Sequence, residues 1–169
     1  ENNFSLNVLG GYNGGVNGLE IGGLFNIITQ NVNGVQIGGL SNVVDGNITG
    51  VQVGGIVNRV KKSISGVQIG GISNYLSDSL VGFQVGGIGN LVNGSFTGMQ
   101  IGGVHNHTHQ KFRGFQLSGI LNWTQDTCHG MQLSGISNIV KGTTEGFQLA
   151  GIYNLTTQNM NGMQLAGIN

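Results

Sequence analysis

The stretch Gly34-Val35-Gln36-Ile37-Gly38-Gly39-Leu40-Ser41-Asn42 is followed, 16 residues on, by Gly50-Val51-Gln52-Val53-Gly54-Gly55-Ile56-Val57-Asn58. The phase holds without insertion from Gly18 to the end of the chain. Columns are named here by their number in the first full repeat. Column 18 is glycine from Gly18 to Gly162. Column 20 holds Glu20, then Gln36, Gln52, Gln68, Gln84 and so on to Gln164. Column 23 is glycine throughout, as in Gly23, Gly39 and Gly55. Column 26 is asparagine, with Asn42, Asn58, Asn74 and Asn90 among its members. The consensus is G-φ-Q-φ-G-G-φ-x-N-x-φ-x-x-x-φ-x, where φ is apolar. A fixed period of this kind is the mark of a repeat architecture.

The repeat reads as β-structure. A helix needs apolar residues at i, i+3, i+4 and i+7, whereas φ-Q-φ is strand alternation. Glycine every few residues would cost a helix about 1 kcal/mol each. A strand-per-repeat barrel would need alternation to run unbroken. It does not, because apolar columns 19, 21, 24, 28 and 32 change parity across the Gly22-Gly23 pair. A corner at that pair restores the pattern. The expected fold is therefore all-β: a single β-solenoid of about ten 16-residue coils, roughly 50 Å long at ~4.8 Å per coil.

This assignment sends columns 19, 21, 24, 28 and 32 inward, as in Val51, Val53, Ile56, Val60 and Ile64. It sends the Gln column outward. It places Asn58 and its column inside, as an amide ladder bonded to turn backbone. Column 22 relaxes to Ser118, Ser134, Ala150 and Ala166, so it needs only a small residue. Column 23 never relaxes and is the expected position of positive φ. A lone coil cannot stand, so the array is expected to fold cooperatively. Residues 1–17 form a degenerate repeat with the character of a cap, and 18–169 form the array. The chain begins at Glu1 rather than Met and stops in mid-repeat, so it reads as a segment of an array continuing past Asn169.

Composition narrows the function. Of 169 residues 34 are glycine and none is proline, and only 7% are charged, with zero net charge. Nucleic-acid binding needs a basic patch, which is missing. Apolar runs fall short of the ~18 residues of a transmembrane helix. The hydrophobic share of 38% is evenly spread, which favours order over disorder. One cysteine, Cys128, permits no internal disulfide; it occupies column 32 and reads as an inert core thiol.

Few residues escape the repeat. His105, His107 and His109 alternate, so their imidazoles could share a strand face, with His129 one coil on. This is a candidate Zn, Ni or Cu site, set against ordinary surface histidines in the variable columns 25 and 27. Asp45, Asp78, Asp126 and Glu145 lie in different coils and form no acid pair of the kind glycosidic cleavage needs. Arg59, Lys61 and Lys62 read as a solvated corner, and Lys111 with Arg113 as a similar one. No catalytic residues and no cofactor are expected. Phe25, Tyr75, Trp123 and Tyr153, with Val57, Leu91 and Leu121, lie in outward columns and form a candidate stripe for a protein or glycan. The threonines make no regular array of the ice-binding kind. Triplets such as Asn47-Ile48-Thr49 and Asn122-Trp123-Thr124 read as by-products of the repeat rather than glycan acceptors.

The words Gly34-Val35-Gln36-Ile37-Gly38-Gly39-Leu40-Ser41-Asn42 and Gly146-Phe147-Gln148-Leu149-Ala150-Gly151-Ile152-Tyr153-Asn154 resemble the G-[VLF]-Q-[IVL]-[AG]-G-x-x-N repeats of bacterial surface repeat proteins, found in leptospires and Bacteroidetes. The resemblance spans Gly18 to Asn169. It implies an extracellular or cell-surface setting and transfers no activity. The expected role is a non-catalytic rod or scaffold, alone or as part of a filament or complex, with self-association or a protein partner. The alternative is an adhesin-like module that engages a glycan or protein through the outward aromatics.

Overall fold

A computed structural model describes residues 2–169. Each repeat contributes one strand of seven residues and one of four, as in Val32–Gly38 and Ser41–Val44, then Ile48–Gly54 and Val57–Val60. The long strands form an 11-stranded sheet and the short ones a 10-stranded sheet. Pairing is parallel and joins each strand to the next repeat, so Gln52 lies between Gln36 and Gln68. Asn58 lies likewise between Asn42 and Asn74. The chain is thus a two-sheet β-solenoid. The reversals fall at Gly38-Gly39-Leu40 and at Asp45-Gly46-Asn47, with their equivalents in every coil.

The interior differs from the expectation. Val32 and Val35 have opposite parity, so burying both would require a corner near Gly34. No corner is there: the strand pairs straight through from Val32 to Gly38. Columns 32, 18, 20 and 22 therefore share one face, and columns 19 and 21 the other. The first set points inward. Gln36, Gln52, Gln68 and Gln84 are fully buried, as are Val32, Ile48, Ile64, Phe96 and Phe112. Val51 and Val53 are half-buried on the outside, and Ile56 is exposed. Columns 28 and 32 are inside as expected, and so is Asn58. Columns 19, 21 and 24 are outside, and the Gln column is inside.

A buried amide is costly unless it is bonded, and here each column bonds to itself. Every Gln Nε2 donates to the Oε1 one coil earlier, as in Gln68 to Gln52 at 2.9 Å and Gln84 to Gln68 at 2.7 Å. Every Asn Nδ2 donates to the Oδ1 one coil later, as in Asn58 to Asn74 at 2.9 Å. The same Nδ2 also donates to a strand carbonyl of the next coil, Ile69 in that case, at 2.7 Å. The two ladders thus run in opposite directions, and their amide dipoles oppose. Glu20 is the exception in the Gln column and stands where the ladder's donors arrive. It accepts from Gln36 at 2.9 Å and from Asn13 at 2.5 Å. A carboxylate has only acceptors and fits that place. The aliphatic core is the narrower strip formed by columns 28 and 32, with Phe96 stacked on Phe112 at 5.6 Å.

Column 18, not column 23, carries the positive φ, from 128° to 150°. A Cβ on Gly82 would also lie 2.0 Å from the Gly66 carbonyl oxygen. Column 23 is glycine for the second reason alone: a Cβ on Gly55 would lie 2.0 Å from the Gly39 oxygen. Column 22 is buried but admits Ser118 and Ala150.

The first coil keeps the plan in shortened form. Asn2–Asn7 and Gly10–Asn13 pair with the next coil, with one register shift between Asn2 and Phe4. Asn2 and Asn13 align with the core residues Val16 and Ile28. Their amides bond at 2.6 Å, and Asn13 also reaches Ser5 at 3.4 Å. This end of the aliphatic strip is closed by polar side chains.

Candidate interaction surfaces

The inverted parity leaves a broad aliphatic surface on the outside of the long sheet. Column 19 runs Leu19, Val35, Val51, Val67, Phe83, Met99, Phe115, Met131, Phe147, Met163. Column 21 is Ile, Val or Leu from Ile21 to Leu165. Column 24 is aliphatic from Leu24 to Ile168, yet its members are 37% to 67% exposed. Its backbone is engaged, since Ile72 N–H donates to the Ile56 carbonyl at 2.9 Å, while its side chain faces solvent. None of these positions is polar in any coil. Their neighbours in column 33 include Asn33, Thr49, Arg113, His129 and Glu145, so the surface has a polar margin.

The short sheet presents columns 25 and 27 outward, as expected. Phe25 and Tyr153 occupy one, Tyr75 and Trp123 the other. These aromatics are two or three coils apart, about 10–14 Å at the strand spacing, so they do not touch one another. Tyr75 and Trp123 are engaged by their neighbours instead. Arg59 lies over the Tyr75 ring at 5.6 Å, and Asn93 donates to its hydroxyl at 3.0 Å. Trp123 lies between the His107 ring at 4.5 Å and the Lys141 ammonium at 5.2 Å.

His105 and His107 share that face, and the His107 and His109 rings stack at 4.2 Å. His107 is half-buried in this stack. Burial first, then the nearby His109, His105 and Lys141, pushes its imidazole down to about 4. Its Nε2 lies 3.0 Å from the Gln125 amide nitrogen. His129 does not join the group. It belongs to the long sheet and lies 2.9 Å from Glu145. Among the described residues no three His, Cys, Asp or Glu side chains gather as a metal site.

Three of the carboxylates have local structural partners, whereas the buried Thr108 and Ser118 hydroxyls and the Trp123 indole N–H have none. Asp45 pairs with Lys61 at 2.8 Å, Asp78 accepts from Ser63 at 2.8 Å, and Asp126 accepts from the Thr127 N–H at 2.7 Å. Cys128 is fully buried, and burial pushes its thiol up to about 12. Asn122, the acceptor of one N-x-T triplet, is fully buried in the Asn ladder, whereas Asn47 is exposed.

Sequence reasoning reached the aromatics and histidines but missed the aliphatic surface. A signal for it was present. Column 20 almost never varies, as a ladder bonding to its own copies demands, while column 19 exchanges Val, Phe and Met freely. Comparison with family models, with curated proteins and with solved structures finds no match for this chain.

Proposed function

We propose that the chain is a non-catalytic structural rod, a scaffold segment at a bacterial cell surface within a filament or larger complex. The observation that carries this reading is the uninterrupted stack, in which both sheets and both amide ladders continue from coil to coil without an insertion that could form a cleft. All four carboxylates outside the first two coils serve turns or ion pairs. The resemblance of the repeat words to bacterial surface repeat proteins supports the setting.

Electron microscopy of the native material tests it. Rods lengthening by about 50 Å for each such run of coils, within a surface-attached assembly, are expected. Isolated compact particles in the cell interior would sink the proposal. The adhesin alternative is weaker, because Tyr75 and Trp123 are already occupied by Arg59, His107 and Lys141. Unchanged glycan and protein binding in a Tyr75→Ala, Trp123→Ala, Tyr153→Ala variant would remove it.

A further inference from the structure

We propose that the aliphatic face of the long sheet is the seat of a second copy of this chain, packed face to face with its rod running antiparallel. The inference rests on the scaffold reading and names its partner.

The area is that of a small interface. Columns 19 to 22 span about 10 Å along the strand and about 45 Å along the stack, on the order of 450 Å², and column 24 carries the apolar surface on into the reversal. Solvent-facing apolar patches on monomers reach about 300–600 Å², and a standard interface takes about 800 Å² per partner. The chemistry excludes a charged occupant, since no position on the face is polar. It also disfavours a lipid surface: the long-sheet margin mixes Asn, Thr and Ser with one Val, one Arg, one His and one Glu, and lacks the basic and aromatic belt of an interfacial protein. The strongest evidence is shape. Column 19 is slim in the early coils and bulky in the late ones. A two-fold axis lying along the strand direction, between the coils of Phe83 and Met99, faces each column with itself in reverse order. Val35 then meets Phe147 of the second copy, Val51 meets Met131, and Val67 meets Phe115. Small opposes large at these three levels, Leu19 meets Met163 at the ends and Phe83 meets Met99 across the axis, so the summed bulk varies less along the pair than in a parallel one and the two sheets can pack near the usual ~10 Å. A parallel pair would set bulk against bulk at one end and leave a wedge at the other. An isologous contact of this sort closes on itself and stops at two chains.

Sedimentation equilibrium of the full chain gives the first readout. A mass near twice 17.6 kDa is expected at tens of micromolar. An Ile56→Lys, Ile88→Lys variant places two charges on the exposed column 24 and should weaken association at least ~100-fold, with the β circular dichroism unchanged. Val43→Lys with Leu91→Lys, on the other sheet, should leave the dimer intact. Orientation is read by oxidation: Val35→Cys with Phe147→Cys should cross-link two chains, and Val35→Cys alone should not. Cys128, buried with its raised pKa, stays silent. A wild-type chain that is monomeric at 100 µM overturns the proposal, as does a monomer that floats with phosphatidylcholine vesicles. Association untouched by the column 24 charges, or cross-linking by Val35→Cys alone, overturns it too. A monomeric result with intact rods in the microscope leaves the scaffold reading standing.

Discussion

The two faces of one strand, Leu80–Gly86, divide the molecule's chemistry. Leu80, Gly82, Gln84 and Gly86 look inward, while Val81, Phe83 and Val85 look out. By hydropathy alone the second set should be buried. The first set is, because the lumen between the two sheets is narrow and half of it is filled by amides that satisfy each other along the stack. Burial of polar atoms is tolerable where every coil repeats the same donor and acceptor at ~4.8 Å. The outer set is apolar without any such constraint inside the coil, which the face-to-face packing proposed above would account for.

The largest effect should come from the inward glycines. Gly82→Ala combines φ of 137° with a Cβ 2.0 Å from the Gly66 oxygen, which is backbone of the neighbouring strand and cannot yield as a side chain could. A loss above about 4 kcal/mol is expected in urea denaturation, or failure to fold. Gly86→Ala, two residues on and also inward, should cost less: its Cβ would lie 2.4 Å from the Gly89 oxygen, but its φ is not positive and the same column accommodates Ala150 in this fold. Equal losses for the two would contradict the reason given for column 18.

The Gln ladder comes next. Gln84→Leu fills similar volume but leaves the Gln100 Nε2 without its acceptor and the Gln68 Oε1 without its donor. Each unsatisfied buried group costs about 1–3 kcal/mol, so a loss of about 2–6 kcal/mol is expected. A neutral Gln84→Leu would show that the interior is not held by its amides and would return column 20 to the role of an outward decoration.

How much of this was readable follows from the same residues. The period, the strand character, the corner at Gly38-Gly39 and the inward Asn ladder are all local or periodic properties, and they are legible in one repeat. The direction of the long strand is not, since Val32 and Val35 are both apolar and only one can be inside. Hydropathy weighs them equally. The deciding fact is that Gly34 stays in an extended strand rather than making a corner, and that depends on stacking against Gly18 and Gly50. Positive φ was assigned to column 23 for a similar reason: invariance signals the lack of room for Cβ, and torsion and crowding leave the same mark on a sequence. The aliphatic outer surface is hidden by the same parity choice, because a residue assigned to the core cannot also be assigned to the surface.

A matched pair measures the inward–outward difference at smaller scale. Val32→Thr puts a hydroxyl in the aliphatic strip at the column of Thr144, where Val44 stands in the place of its partner Thr156, at a cost of about 1–3 kcal/mol. Val57→Thr, on a short strand and facing out, should change stability by less than about 0.5 kcal/mol. Thr144 and Thr156 show why the penalty is conditional. Their hydroxyls lie 2.8 Å apart, and Thr156 donates to Gln148 at 3.2 Å, so a threonine inside is harmless when a second one or the ladder answers it.

The smallest effect tests the outer face of the short sheet, where neighbours rather than ladders set each side chain's environment. His107 lies between His109 and Trp123, and its imidazole is held near 4 against an ordinary 6.5. The folded chain therefore favours the neutral ring, while the unfolded chain takes up a proton more readily. The stability linked to this group is complete above about pH 6.5 and is lost as pH falls towards 4, with no further change below. Because the ring is half-exposed, the loss should be small. Thermal melts at pH 7 and pH 5 should show a slightly lower midpoint at pH 5, and His107→Leu, the residue found one coil earlier at Leu91, should remove this contribution. Proton NMR should place the His107 midpoint near 4 and well below that of a free imidazole. A midpoint near 6.5 would mean that the stack is open in solution and that Trp123 is free to meet a partner, which would revive the outward aromatics as a binding surface.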